Sequence, residues 1–294
     1  MCSKDLMHRF LFEETDIRGE IVTLSASYQQ IVQSNQGLPS QVQKVLGEFV
    51  AAVSLLSSTL KFDGVISLQA RGDGPVSMIM VECNHHSSVR GIARVNPEAA
   101  ADAFDSEDLR QLLGSATLAI TIDPDKGERY QGIVPLDSDK LSHCLEHYFS
   151  QSEQLATRFW FAADEENTTG LMLQALPRQL TSEEENSERW ETAVHLADTV
   201  KPEELLELEH STVLYRLFNE EEVRLFEPTA LHFACGCSRE RSANALISLG
   251  QVEVERLLQE QEMIKIDCQF CNQSYAFGAA DMKTLFGAPN QTLH

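Results

Sequence analysis

The chain has 294 residues, 43% hydrophobic and 23% charged, a composition that excludes a disordered protein and leaves room for a large domain plus a smaller one. Its 45 acidic residues outnumber 23 Lys and Arg, and the resulting formal net charge of −22 argues against nucleic acid as a partner, since phosphate contacts need cations. No apolar stretch approaches the roughly 20 residues that span a bilayer, and the N-terminus lacks an apolar signal core. The expectation is a cytoplasmic protein with no membrane partner. In that compartment its seven cysteines are ligands, reactive thiols or core residues, and the sequons at Asn167, Asn272 and Asn290 are chance matches.

Residues 5 to 24 alternate apolar and polar, the period of half-buried strands. From Ser27 to Leu60 the pattern is helical. Pro39 stands in the first turn of a long helix that places Val42, Val45, Leu46, Phe49, Val53 and Leu56 on one face. Strand signals return at 65–69, 76–81 and 89–95, the first two joined by a turn at Gly72-Asp-Gly-Pro75. Short helices fit 97–113, and strands at 118–122 and 130–136 flank a turn at Pro124-Asp-Lys-Gly127. A helix around 139–154 and strands near 157–162 and 170–176 complete a mixed α+β unit over 1–177.

Beyond Pro177 the composition shifts, with 14 Asp and Glu against 5 Lys and Arg between 178 and 231, a net of −9. Ser182 and Glu185 form a capping box, with Trp190, Val194 and Ala197 at helical spacing behind it. Pro202 opens a helix carrying Leu205, Leu206 and Leu208, and Val213, Leu214, Leu217 and Phe218 mark another. Such acidic helices with narrow apolar stripes are marginal alone and need a surface to pack on. Residues 178–231 thus read as an acidic helical linker.

The last segment, 232–294, holds four cysteines: the pair Cys235-Gly-Cys237 and the pair Cys268-Gln-Phe-Cys271. Four thiolates from two tight turns suit a tetrahedral zinc site, one Zn²⁺ per chain. A C-x-C pair can also close on itself as a strained, easily reduced disulfide, so the same residues could form a zinc cage or two local disulfides. Between the pairs a helix is expected from Arg239 to Leu249, a break at Gly250, a second helix to about Glu260, and a hairpin turning at the C-x-x-C. A unit of this size with so few large apolar groups depends on its metal to fold.

Other patterns carry less. His143-Cys-Leu-Glu146-His147 matches the inverted zinc-protease signature, which needs a third ligand that the sequence does not identify. Cys83 with His85 and His86 could bind a metal, but a strand end is the commoner explanation. Cys2 and Cys144 have no cysteine neighbour and read as inert. Gly72-Asp-Gly74 lacks the third glycine and following helix of a dinucleotide loop. A thioredoxin-like role is disfavoured because the C-x-x-C sits in a terminal hairpin and not in a βαβ unit.

These residues together resemble the heat-shock protein 33 family of redox-regulated holdase chaperones. The specific matches are Phe233-x-Cys235-x-Cys237-Ser238-Arg239-x-Arg241, then Cys268-x-Phe270-Cys271-Asn272 and Tyr275-x-Phe277. Supporting matches are Asp16-x-Arg18-Gly19, Lys61 and Gly64 before Leu68-Gln69, Tyr130 to Leu136, Tyr148-Phe149-x-Gln151 to Gln154, and Gly170 to Gln174 before Pro177. Ala156 departs from the pattern, where the family has Pro. The resemblance implies an N-terminal α+β domain (1–177) for client binding and dimerisation, the acidic linker (178–231) and a C-terminal zinc domain (232–294). It implies that the reduced protein holds zinc through Cys235, Cys237, Cys268 and Cys271 and is a poor chaperone. Oxidation then forms Cys268–Cys271 and Cys235–Cys237, releases zinc, unfolds the linker and exposes a surface that binds unfolding proteins without ATP. It further implies a homodimer when active, hand-over of clients to an ATP-dependent foldase system, and no catalytic turnover. The alternative is a zinc-ribbon interaction module that keeps its metal throughout.

Overall fold

The computed structural model describes residues 5–58, 63–177 and 182–287. Cys2, Lys61, Asn290 and the first residues of the acidic segment lie outside them. Contacts divide the chain into two compact units, Met1–Ala234 and Cys235–His294.

The first unit opens with β1 (Leu6–Phe12) and β2 (Ile17–Leu24), followed by α1 (Ala26–Ser34) and α2 (Ser40–Ser57). Next come β3 (Gly64–Arg71), β4 (Val76–Asn84) and β5 (Ser88–Val95), a 3₁₀ turn at Ala101–Phe104 and α3 (Leu109–Leu113). Strands β6 (Thr117–Pro124) and β7 (Tyr130–Pro135) precede α4 (Leu141–Tyr148), whose end widens into a π turn at Phe149–Glu153. Strands β8 (Thr157–Ala163) and β9 (Thr168–Ala175) follow. The acidic segment supplies α5 (Glu183–Ala197), α6 (Pro202–Glu207), α7 (His210–Phe218) and two short strands, β10 (Val223–Leu225) and β11 (Thr229–Ala230), and β12 (His232–Phe233) follows it at the start of the last segment.

These strands form two sheets. One runs β10-β1-β2-β9-β8, with β11 also on β1 and every pairing antiparallel. The other runs β12-β5-β4-β3-β6-β7, in which β12 alone is parallel to its neighbour. Helix α2 touches both sheets, packing on β9, β8 and β2 on one side and on β4, β5 and β3 on the other. That double contact is why it is apolar nearly all round. Gly47, Val50, Ala51, Ala52 and Leu55 are buried alongside the face that periodicity singles out. Pro39 is the residue just before the helix, not part of its first turn.

The opposite face of the first sheet carries the acidic helices. Phe10, Phe12, Ile17, Ile21, Leu171 and Leu173 from the sheet meet Ala193, Ala197, Leu205, Val213, Leu214, Leu217 and Phe218 from the helices. Gly19 is required here, because a Cβ at that position would lie 2.1 Å from Cζ of the cross-strand Phe10 ring. Strands β2 and β9 are therefore buried on both faces. Ser182 caps α5 by accepting from the Glu185 N–H at 3.3 Å, as the capping pattern predicts. Strands β10 to β12, of two or three residues each, are too short for any periodicity to announce.

The second unit contains α8 (Arg239–Leu249), α9 (Gln251–Glu260), the hairpin β13 (Met263–Asp267) with β14 (Ser274–Gly278), and α10 (Met282–Phe286). Gly250 separates the first two helices at φ +96°, a conformation that L side chains rarely adopt. Only Leu246, Val254, Ile264 and Phe277 form its buried apolar cluster among the described residues. Arg239 braces it from outside. Its guanidinium donates to the Ala276 carbonyl at 2.7 Å and to Asp281 at 2.8 Å and lies over the Phe277 ring at 4.4 Å. No helix of the described residues is long and apolar enough to cross a membrane.

Candidate metal centre

Two local structures deliver the four sulfurs. Cys235 and Cys237 lie in the extended segment that ends where the Ser238 hydroxyl caps α8, accepting from the Arg241 N–H at 3.1 Å. Gly236 between them is closely backed: a Cβ there would lie 3.1 Å from Nη1 of Arg241. Cys268 and Cys271 sit on the turn between β13 and β14. The turn is closed by the Asn272 N–H on the Cys268 carbonyl (2.8 Å) and the Cys268 N–H on the Gln273 carbonyl (2.9 Å). Asn272 takes the left-handed conformation, φ +58°, that such a tight reversal needs and that Asn tolerates.

The four Sγ atoms lie within 4.8 Å of one another, the one group of metal-ligating side chains of that kind among the described residues. Their closest approaches run across the pairs: Cys235 to Cys268 at 3.4 Å and Cys237 to Cys271 at 3.4 Å. These are not covalent contacts, and none of the four cysteines is in a disulfide. A tetrahedron with metal–sulfur bonds of about 2.3 Å has edges of about 3.8 Å, so the cluster has the size of an S₄ cage.

The electrostatics favour a cation. Burial, with further thiols crowded alongside, pushes Cys271 up to about 12, and burial likewise raises Cys268. Thiolates crowded this closely repel one another, and a dication at their centre offsets that repulsion. Soft sulfur donors in this arrangement fit Zn²⁺. Tyr275, on β14, completes the surroundings with its hydroxyl 3.2 Å from Cys237 Sγ. Cysteine spacing gives no hint of this phenol, which approaches from a strand 38 residues further on.

The other sequence patterns are dispersed. Glu146 accepts the Phe159 N–H at 3.0 Å and pairs with Arg158 at 3.3 Å, while His143 turns to Ser138 and Asp139 and His147 is exposed. Neither histidine joins a metal-ligating group among the described residues. Cys83 is buried, its thiol pushed up to about 11 chiefly by that burial, and His85 packs against His86 and the Gly64 backbone. Cys144 is buried on α4, and burial raises its pKa as well.

A second polar cluster is invisible to spacing because its members are 202 residues apart. His8 Nδ1 on β1 and His210 Nδ1 at the start of α7 are 2.8 Å apart, and His210 Nε2 lies 2.9 Å from the Thr23 hydroxyl. Burial, and then the neighbouring His8, drives His210 down to about 3.

A family model described as Hsp33 protein matches residues 5–278. A 33 kDa chaperonin of Ectopseudomonas mendocina is 51% identical over 298 residues, covering 99% of each chain. One from Pseudomonas aeruginosa is 50% identical over 302 residues, covering 100% of each. The crystal structure of a 33 kDa chaperonin (Heat shock protein 33 homolog) from Thermotoga maritima superposes with a TM-score of 0.81 over 96% of this chain and 97% of that one, at 22% identity, and so speaks to the fold. The relatives' shared name supports a chaperone. On the matched span and these identities, the chain belongs to the Hsp33 family.

Proposed function

We propose that this chain is a redox-regulated, ATP-independent holdase chaperone whose switch is the four-sulfur cage. The observation that carries the reading is a unit whose fully buried apolar cluster, among the described residues, is four side chains and which brings four cysteine sulfurs into mutual contact. In the reduced state Cys235, Cys237, Cys268 and Cys271 hold one Zn²⁺, which keeps the sulfurs ionised at neutral pH and contributes on the order of 10–16 kcal/mol to folding. Without it, so small a buried cluster, four side chains among the described residues with partly buried ones around them, is too little to order the unit.

An oxidant such as hydrogen peroxide acts on the sulfurs themselves. One thiolate attacks the peroxide O–O bond: an S–O bond forms, hydroxide leaves with the electron pair, and a sulfenic acid results. A second thiolate displaces the sulfenic oxygen as hydroxide and the S–S bond closes, so each disulfide consumes one peroxide, to which the two sulfurs give up two electrons. The products are Cys268–Cys271 and Cys235–Cys237. In the reduced cage the closest sulfurs lie across the pairs, so closing within the pairs requires the cage to open.

Opening then spreads along the chain. Cys235 directly follows Ala234, whose N–H bonds to the Val89 carbonyl at 3.3 Å beside β12, which begins just after the acidic segment ends. Release of residues 178–231 uncovers the apolar sheet face of Phe10, Phe12, Ile17, Ile21, Leu171 and Leu173. That area binds unfolding clients, while the net charge of −22 keeps the opened protein soluble. On this reading the protein works in the bacterial cytoplasm, dimerises when active, passes clients to an ATP-dependent foldase system and turns over no substrate.

The test is to treat the zinc-loaded chain with hydrogen peroxide, measure free zinc with a chromogenic chelator and map the disulfides by mass spectrometry. One zinc released per chain with two within-pair disulfides is expected. Zinc retained at full occupancy points instead to a constitutively metal-bound interaction module.

A further inference from the structure

The four sulfurs of the cage are not equivalent in their surroundings. Cys268 accepts from the backbone N–H groups of Phe270 and Cys271, and Cys271 from that of Gln273, the donors of the knuckle turn itself. Cys237 faces a side chain, the Tyr275 hydroxyl at 3.2 Å. The phenol is held firmly in place. Tyr275 pairs with Ile266 across the hairpin, and its ring packs against the cluster of Leu246, Val254, Ile264 and Phe277. A side chain fixed this way aims its O–H with little freedom to turn elsewhere.

We propose that Tyr275 is a positioning residue of the metal centre: its O–H donates to Cys237, fixing that sulfur and drawing electron density from it, so that Cys237 is a weakened nucleophile. The inference rests on the redox-switch reading above. A thiolate that accepts a hydrogen bond from a fixed donor shares its lone pair between donor, metal and oxidant, and each extra claim lowers its reactivity. The step affected is the first one: attack of Cys237 on peroxide, with S–O forming, O–O breaking and the leaving hydroxide taking a proton to become water. Losing the donor leaves the metal in place but makes this one sulfur more reactive, so the cage opens at a lower dose of oxidant.

Tyr275→Phe keeps the ring and its packing and removes only the donor. The full chain, wild type and variant, is loaded with Co²⁺ as a spectroscopic stand-in and separately with Zn²⁺. In the variant the sulfur-to-cobalt charge-transfer band moves to longer wavelength, because the sulfur lone pair is no longer stabilised. After brief hydrogen peroxide, alkylation and mass spectrometry, oxidation of Cys237 relative to the other three rises about fivefold, the size of one ordinary hydrogen bond. A 3-fluorotyrosine placed at position 275, a stronger donor of nearly the same shape, moves both readouts the opposite way, which covers the case in which the Phe variant folds poorly. An unmoved band with all four cysteines accelerated together makes Tyr275 a structural residue and overturns the inference. So does a variant indistinguishable from wild type. If the wild-type chain binds no metal, or peroxide leaves its four cysteines untouched, the switch reading itself falls and takes this inference with it.

Discussion

Helix α2 and helices α5 to α7 cover opposite faces of one sheet by different means. Helix α2 buries 12 of its 18 residues, touches both sheets and meets its surroundings with aliphatic and aromatic side chains. The acidic helices bury a narrow stripe and add polar anchors: His210 to His8 and Thr23, and Asp198 to the Trp160 indole at 3.0 Å and to Arg158 at 3.4 Å. Apolar contact on two sides cannot be given up without losing the core. A one-sided stripe with charged backs can leave as a layer, since its outer surface is already solvated. On the proposed reading, the difference separates a permanent layer from a detachable one.

The sharpest way to break the comparison is to put a cavity in each layer. Phe49→Ala, in α2, is expected to cost about 3–5 kcal/mol and to lower the calorimetric melting of the whole first unit. Phe218→Ala, whose ring lies 4.9 Å from Phe12 in an edge-to-face arrangement, should cost about 3 kcal/mol, read mainly as faster amide exchange over 183–233. Equal loss of protection throughout the unit in both variants would contradict the division.

Acid should split the layers in opposite directions. His210 is held at about 3 against 6.5 for a free histidine, so docking of α7 is fully supported above 6.5 and weakens as the pH falls from there toward 3, by about 2 kcal/mol at pH 5. Glu227 and Glu209 raise the affinity of the partner His8 for protons, although its own burial is the larger influence and lowers it; Thr23 and Thr169 are uncharged. On the α2 side the signs reverse. Burial lifts Glu20, which accepts from Ser58, and Glu48 to about 7 against 4.5, so their contribution grows as the pH falls from about 7 to 4.5. Amide exchange at pH 5 and 7 should show residues 210–218 loosening while α2 holds or tightens. His8→Gln combined with His210→Gln should flatten the first response and leave the second.

How far these features could be read from residues alone depends on range. The four cysteines, the Ser182 cap, the Gly250 break and the terminal hairpin are local patterns, and the structure contains them where their spacing puts them. Helix α2 is read as one-faced because periodicity weighs a single stripe, and Ala51 and Ala52 look like spacers until a second sheet covers them. The His8–His210 pair, the Tyr275–Cys237 bond and the pairing of β12 with β5 join residues far apart in sequence, where no spacing rule operates. The H-x-x-E-H pattern shows the converse. It is a sound local motif whose Glu146 is claimed by Arg158 and a backbone N–H from β8.

The most direct test of the central claim is light scattering from a heat-unfolding client protein mixed with this chain, either reduced and zinc-loaded or oxidised with peroxide. The account predicts that the oxidised form suppresses aggregation at near-stoichiometric ratios without ATP while the reduced form does not. Equal suppression by both forms would contradict it, leaving the cage as a structural site and the acidic helices as a fixed part of the fold.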